Sequence, residues 1–317
     1  MEEPLVSPAH EPTIAGQVLA EWLRERKSDR RWKLAWRVAT LGSVVFFVVA
    51  YGLSVAFSFG WRAGPRSDVV GVVRIEGEIA AGNLASAEKV VPAIARAFES
   101  DKVKAVVLSI DSPGGAPVEA ERIYRAIDAM KAANPDKPIV AVINNMGASA
   151  AYMIALHADR IYAAQYSLVG SIGAVLTGWD FSKAIGRVDV AQRVYASGNL
   201  KAMLNPFLPM TPEADAKARE LVQQMGRQFA DELMARRKDK LKPGVDYATG
   251  EIWSGREAKD LAVVDEIGTV DQIIKSRWGL KAHDFGPSKP QLPFVGAVAE
   301  WIGGAVAEAL SQAPGLR

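Results

Sequence analysis

The chain has no cysteine and only three histidines in its 317 residues. The first absence excludes a disulfide scaffold, a thiolate metal site and a cysteine nucleophile. The second argues against a zinc centre, because the three histidines are scattered; an all-oxygen ion site stays open. No charge of one sign dominates either, with Lys+Arg 38 against Asp+Glu 36. The small surplus is local. Residues 1–66 hold nine basic and six acidic side chains, whereas residues 67–317 hold 29 and 30. The body of the chain therefore gives no electrostatic case for binding nucleic acid. Half the chain is hydrophobic, which rules out a disordered polymer.

One long uncharged run stands out. The 24 residues Val38–Trp61 carry no charge. As a helix they would extend roughly 36 Å, enough to cross a bilayer core of about 30 Å with some tilt. Trp32, Trp36 and Trp61 lie near its ends, where aromatic belts form. Seven Lys/Arg lie in the twenty residues up to Arg37 and three in the twenty from Arg62, which predicts a cytoplasmic N-terminus and a C-terminal body outside. The run and its leader are too long for a cleaved signal peptide, so an uncleaved anchor is expected. The expected organisation is a cytoplasmic tail over 1–37, a transmembrane anchor over 38–61, a catalytic domain over 67–280, and a linker with an amphipathic tail over 281–317.

Behind the anchor, short β-branched runs alternate with helical stretches. Strands are predicted over Val69–Ile75, Val103–Ile110, Ile139–Ile143, Arg160–Ala163 and Val190–Tyr195. Helices are predicted over Ser86–Ser100, Pro117–Ala133, Ala148–Ala158 and about Pro212–Lys240, the last with an apolar stripe from Ala218 to Leu233. Such repetition implies an α/β fold with a mainly parallel sheet and right-handed crossovers. The long last helix reads as a packing helix or as an oligomerisation arm.

Three spots could carry chemistry. Asp111-Ser112-Pro113-Gly114-Gly115 follows a strand. Pro-Gly is ordinary turn chemistry, but paired glycines at a strand end also let backbone N–H groups line a cleft as an oxyanion hole does. Gly147-Ala148-Ser149-Ala150-Ala151-Tyr152 follows the next strand and opens a helix. Ser149 reads either as an N-cap or as a nucleophile at the positive end of a helix dipole. No histidine suits it as a base: His10 lies across the membrane, His157 is roughly 12 Å further along the same helix, and His283 falls in the linker. The third spot, Ser197-Gly198-Asn199-Leu200-Lys201-Ala202-Met203-Leu204-Asn205-Pro206-Phe207-Leu208, offers a lysine among apolar neighbours. Lysine works as a base only when desolvation brings its pKa from about 10.4 to ~7–8. Ser171, in Gly170-Ser171-Ile172-Gly173, is the hydroxyl available to orient the amine. The alternative for Lys201 is a snorkelling side chain with its head in water.

In this order the three spots, with Gly170-Ser171-Ile172-Gly173-Ala174 and the later Thr249-Gly250-Glu251-Ile252-Trp253-Ser254-Gly255-Arg256-Glu257-Ala258 and Val264-Asp265-Glu266-Ile267-Gly268, resemble the signal peptide peptidase A family. These are membrane-anchored Ser-Lys proteases with a fold related to Clp-type proteases and crotonases. The resemblance covers about residues 69–278 and fits the short members with one catalytic unit. It implies Ser149 as nucleophile, Lys201 as general base, Ser171 as the hydroxyl positioning the lysine, and Gly114 with Gly115 as oxyanion-hole amides. It implies no metal and no cofactor, peptide substrates such as released signal peptides, a homo-oligomeric ring, and lipid contact through the anchor. Ala150 and Ala151 depart from the family's frequent glycine after the nucleophile, and Ala202 from its frequent acid after the lysine. A crotonase-like acyl-CoA enzyme and a membrane scaffold built on an inactive protease fold are the rival readings.

Overall fold

A computed structural model describes residues 32–52 and 64–287. Two units are distinguished, with residues up to Trp61 in one and Arg62–Lys289 in the other.

In the first unit, α1 (Trp32–Gly52) is a 21-residue helix long and apolar enough to cross a membrane, and all of its residues are exposed. Its length is about 31 Å. It starts six residues before the predicted span and so includes Lys33 and Arg37; positions 53–61 of that span lie outside the described residues.

The second unit runs β1 (Val69–Glu76), α2 (Ala87–Glu99), β2 (Val103–Ser112), α3 (Pro117–Ala133), β3 (Ile139–Ala148), α4 (Ala150–Ala155), β4 (Arg160–Ala163), β5 (Leu168–Gly170), α5 (Ser182–Gly186), α6 (Pro212–Arg237), β6 (Ile252–Ser254), α7 (Gly255–Asp260), β7 (Glu266–Ile267), α8 (Val270–Trp278) and β8 (Lys281–Gly286). The main path of the sheet is β6-β5-β3-β2-β1-β8. Every pairing is parallel except β5 with β6. This is the predicted α/β class with a mainly parallel sheet.

Its inner strands are continuous apolar runs because both faces are covered. Ile139, Ala141 and Ile143 of β3 join the larger core with Val90, Ile94, Ile123, Ile127, Phe229 and Leu233. Val140 and Val142 face the other way, towards Ile273 and Ile274 of α8. Each such side chain contributes about 1.5–3 kcal/mol when removed from water.

β3 positions the site. Its first half, Val140–Ile143, pairs with β4, and its last residues, Met146–Ala148, pair with β5. Between them Ser167 Oγ donates to the Ile143 carbonyl, which also accepts from Ala164 N–H at 3.1 Å, and hydrogen-bonds the Asn144 carbonyl, so the point where the edge divides is tied together. The division lets two strand ends, at Ser149 and Ser171, emerge side by side.

Several predicted elements change. β3 extends five residues past Ile143, and α4 is correspondingly shorter than Ala148–Ala158. Val190–Tyr195 is not a strand; it is exposed irregular chain, with no strand beside it to accept its backbone bonds. The residues from Lys281 to Gly286, read as the start of a linker, form β8 and pair with β1. Along α6 only part of the expected stripe is covered: Phe229 and Leu233 are buried, whereas Met225 is exposed.

Candidate active site

The Asp111–Gly115 segment and the Gly147–Tyr152 segment meet. Ser112 pairs with Gly147 across β2 and β3, which carries both strand ends to the same edge. Beyond it Gly114 lies so close to the junction of β3 and α4 that a Cβ there would stand 2.7 Å from Ser149 Cβ and 2.8 Å from the Ala148 carbonyl oxygen. At Gly115 a Cβ would stand 2.2 Å from the Ile79 carbonyl oxygen. Both glycines have φ in the region that side chains disfavour, at 100° and 145°. Turn geometry alone does not require two such contacts; close approach to Ser149 on one side and to Ile79 on the other does.

Ser149 precedes α4 with φ 53° and ψ −126°, and its side chain makes no capping hydrogen bond. The N-cap reading therefore fails, since a cap has extended backbone and an oxygen that accepts from the first turn. Its N–H donates to the Gly170 carbonyl at 2.8 Å, and its carbonyl accepts from Met153 N–H at 3.0 Å. Holding a serine in this conformation costs on the order of 1–3 kcal/mol, and such strain concentrates at functional sites. Ser171 shares the feature, with φ 53° and its N–H donating to the Glu251 carbonyl at 2.7 Å. Ser149, Ala150, Gly115, Ser171, Gly173 and Thr249 all border one cavity of about 800 Å³. Met153, Val222, Met225 and Phe229 give it an apolar wall, and Glu121, Tyr124 and Glu232 a polar one.

The two oxyanion candidates are not equivalent. The Gly114 N–H is committed to Ser112 Oγ at 3.1 Å, whereas Gly115 borders the cavity.

Lys201 is elsewhere within the single chain. It sits on a turn, its N–H donating to the Gly198 carbonyl at 3.0 Å, and its side chain is exposed beside Ser197, Leu200 and Glu213 at a separate shallow depression. It does not border the Ser149 cavity. The apolar neighbours that were to desolvate it, such as Leu204, are themselves half-exposed or exposed. Large apolar side chains are open to solvent throughout residues 174–211, including Val175 at 82%, Trp179 at 79% and Tyr195 at 92%.

His157 is no base for Ser149. It is buried past the end of α4, with Nδ1 2.8 Å from Asp128 Oδ2 and its ring stacked on Tyr124 at 4.0 Å. Burial, followed by the Arg236 guanidinium, pushes its pKa below the usual value against the pull of Asp128 and Glu232. Among the described residues no group of His, Asp and Glu could hold a metal ion.

Sequence reasoning did not find Ser112, Tyr124 or Glu232 as neighbours of the site. A signal for Ser112 was available in its place before the paired glycines. Tyr124 and Glu232 are brought in by α3 and α6 packing on α4, which leaves no mark in a local motif.

Residues 131–282 match the model of peptidase family S49, a stretch that includes Ser149, Ser171 and Lys201. Over that stretch, just under half of its length, the chain is similar to peptidase family S49. Among its relatives, Protease 4 of Haemophilus influenzae is 28% identical over 68% of this chain and 36% of that protein. The chloroplastic serine protease SPPA of Arabidopsis thaliana is 26% identical over 64% of this chain and 30% of that protein. A protein of Brucella melitensis named Na(+)/H(+) antiporter NhaA is 34% identical over 66% of this chain, but the match takes in 29% of that protein. The chain thus spans about a third of the length of these two proteases, and most of the antiporter-named protein lies outside the match.

Proposed function

We propose that this chain is a membrane-anchored serine endopeptidase that cleaves released signal peptides and other hydrophobic peptides through a Ser149–Lys201 dyad. The observation carrying the reading is Ser149 itself: strained, uncapped, at a strand–helix junction, and bordering a cavity with Gly115 and Ser171. Serine protease names among the relatives agree with it.

In this mechanism the neutral Lys201 amine takes the proton from Ser149 Oγ as the oxygen attacks the peptide carbonyl. The N–H of Gly115, with that of Ala150 at the first turn of α4, receives the oxyanion; Gly114 shapes the loop, its own N–H being held by Ser112. Lys201 returns the proton to the leaving amine, and water resolves the acyl-enzyme. Ser171 orients the amine. Because Lys201 is exposed and apart from the cavity in one chain, the amine is supplied by a neighbouring copy in a ring. The exposed apolar residues between 174 and 211 support such a contact, since surfaces of this kind mark interfaces. Contact with a second copy would also remove the amine from water. The apolar wall formed by Met153, Val222, Met225 and Phe229 suits a hydrophobic substrate side chain. The apolar α1 and the excess of basic residues before it support a single-pass inner-membrane anchor with the catalytic unit on the outer side.

The test is covalent capture. A fluorophosphonate probe is expected to label the full-length protein, with labelling lost in Ser149→Ala, and Lys201→Met is expected to lose peptide hydrolysis while retaining substrate affinity. Undiminished labelling of Ser149→Ala would overturn Ser149 as the nucleophile, and an unlabelled wild type would favour a non-peptidase reading.

A further inference from the structure

Gly114 and Gly115 carry no side chain to restrict the backbone, yet the peptide plane between them must hold one orientation to serve as an oxyanion donor. Two glycines in succession leave that plane free to rotate unless something outside fixes it. Three hydrogen bonds hold it, one on the plane itself and one on each flanking peptide. Ile79 N–H donates to the Gly114 carbonyl at 2.8 Å, and Ala116 N–H donates to the Ile79 carbonyl at 2.7 Å. Together they form an isolated parallel bridge between Ile79 and Gly115. The third is the Gly114 N–H to Ser112 Oγ contact at 3.1 Å. Ile79 and Ser112 are both fully buried.

The orientation follows from peptide geometry. In a trans peptide the C=O and the next N–H point in opposite directions. With the Gly114 carbonyl turned towards Ile79, the Gly115 N–H points away from Ile79. That leaves it on the side where Gly115 borders the cavity with Ser149 and Ala150. A rotation of the plane that released Ile79 would turn the carbonyl oxygen towards the cavity, placing an acceptor where a donor is required. The Ser112 hydroxyl acts one peptide earlier: by holding the Gly114 N–H it anchors the Pro113–Gly114 peptide, and with it the Gly114 Cα from which the plane hangs, so the carbonyl stays within reach of Ile79.

From this we infer that Ser112 is a positioning residue for the oxyanion amide: its buried hydroxyl, working with the Ile79 main chain, locks the Gly114–Gly115 peptide with the Gly115 N–H facing the nucleophile. The inference rests on the peptidase reading above and adds a residue that touches neither substrate nor the reacting atoms.

The experiment compares full-length wild type, Ser112→Ala, Ser112→Cys and the control Ser109→Ala in hydrolysis of a fluorogenic hydrophobic peptide and in inhibition by the matching peptide aldehyde. Ser109 lies on the same strand, is buried, and its hydroxyl accepts from Asn144 Nδ2 at 2.9 Å, so its removal reproduces the loss of one buried hydrogen bond away from the glycine loop. Complete loss of an oxyanion donor lowers kcat by about 10²–10³-fold, so its misalignment in Ser112→Ala is expected to lower kcat ~10–100-fold with KM changed less than about twofold. Aldehyde affinity, which reports the tetrahedral adduct, is expected to fall by the same factor, whereas Ser109→Ala stays close to wild type. A Ser112→Ala kcat and aldehyde affinity matching those of Ser109→Ala would overturn the inference, as would a change confined to KM. Should Ser112→Ala fail to melt cooperatively, Ser112→Cys, which keeps the volume and weakens the acceptor, decides by the same criterion. An inactive wild type would instead overturn the peptidase reading itself, and this inference with it.

Discussion

Two glycines at the cavity show how differently one residue type can be constrained. Gly173 has nothing nearer than 3.8 Å where a Cβ would be added, whereas a Cβ at Gly115 would overlap the Ile79 carbonyl oxygen at 2.2 Å. Gly173→Ala is therefore expected to leave turnover and melting temperature close to wild type. Gly115→Ala must displace the loop from Ile79, and turnover is expected to fall at least ~100-fold, the scale of losing an oxyanion donor. Peptide hydrolysis measured beside a thermal melt checks this; full turnover in Gly115→Ala would contradict the loop geometry. The sequence announced the glycine pair and Ser149, because a short segment after a strand contains the whole signal. It could not say which glycine presents its amide. That depends on Ile79 and on the hydroxyl of Ser112, and the Ile79 bridge is a pairing between residues 36 apart in the chain. Lys201 was legible as a residue but not as a neighbour: its apolar surroundings in sequence are solvent-facing in the single chain.

At the scale of elements, α6 is fastened at its C-terminal end more firmly than its amphipathic pattern suggests. Arg237 is buried and donates to both carboxylate oxygens of Asp265, each at 3.1 Å, and to the Ala262 carbonyl. Burial alone would raise the Asp265 pKa, but hydrogen bonds from Arg237, Lys240 and Ile161 N–H outweigh it and hold the carboxyl down at about 2. A carboxyl lowered in the folded state contributes stability that is fully present above its unfolded value and is lost as the pH falls through the folded one. Asp265→Asn leaves the buried guanidinium without its anion and is expected to cost roughly 3–5 kcal/mol at neutral pH. The gap to wild type should stay constant from about pH 5 to 8 and narrow below about pH 4. Urea unfolding across that range provides the measurement; a gap that does not narrow in acid would contradict the pairing. None of this was legible locally, since Arg237 and Asp265 are 28 residues apart. The strand–helix order from β1 to β4 was legible because periodicity is a local property. β8 was not, because a short strand of Lys, Ala, His, Asp, Phe and Gly lacks β-branched residues and is stabilised by its pairing with β1.

For the whole molecule, the central claim is that an amine and an alcohol from different copies meet in one dry cleft. In the single chain, Ser149 and Ser171 share a cavity that Lys201 does not border, and the segment bearing Lys201 exposes aromatic and aliphatic side chains to water. In the proposed assembly a second copy would resolve both features, covering the apolar segment and completing the site. The most direct measurement mixes two inactive full-length variants. Ser149→Ala retains every lysine and Lys201→Met retains every serine, so each alone should be inert. Co-assembled in equal amounts, they should recover roughly a quarter of wild-type hydrolysis, the fraction of interfaces at which an intact Ser149 faces an intact Lys201 in a closed ring. No recovery from co-assembled variants, or full hydrolysis by Lys201→Met alone, would contradict the account.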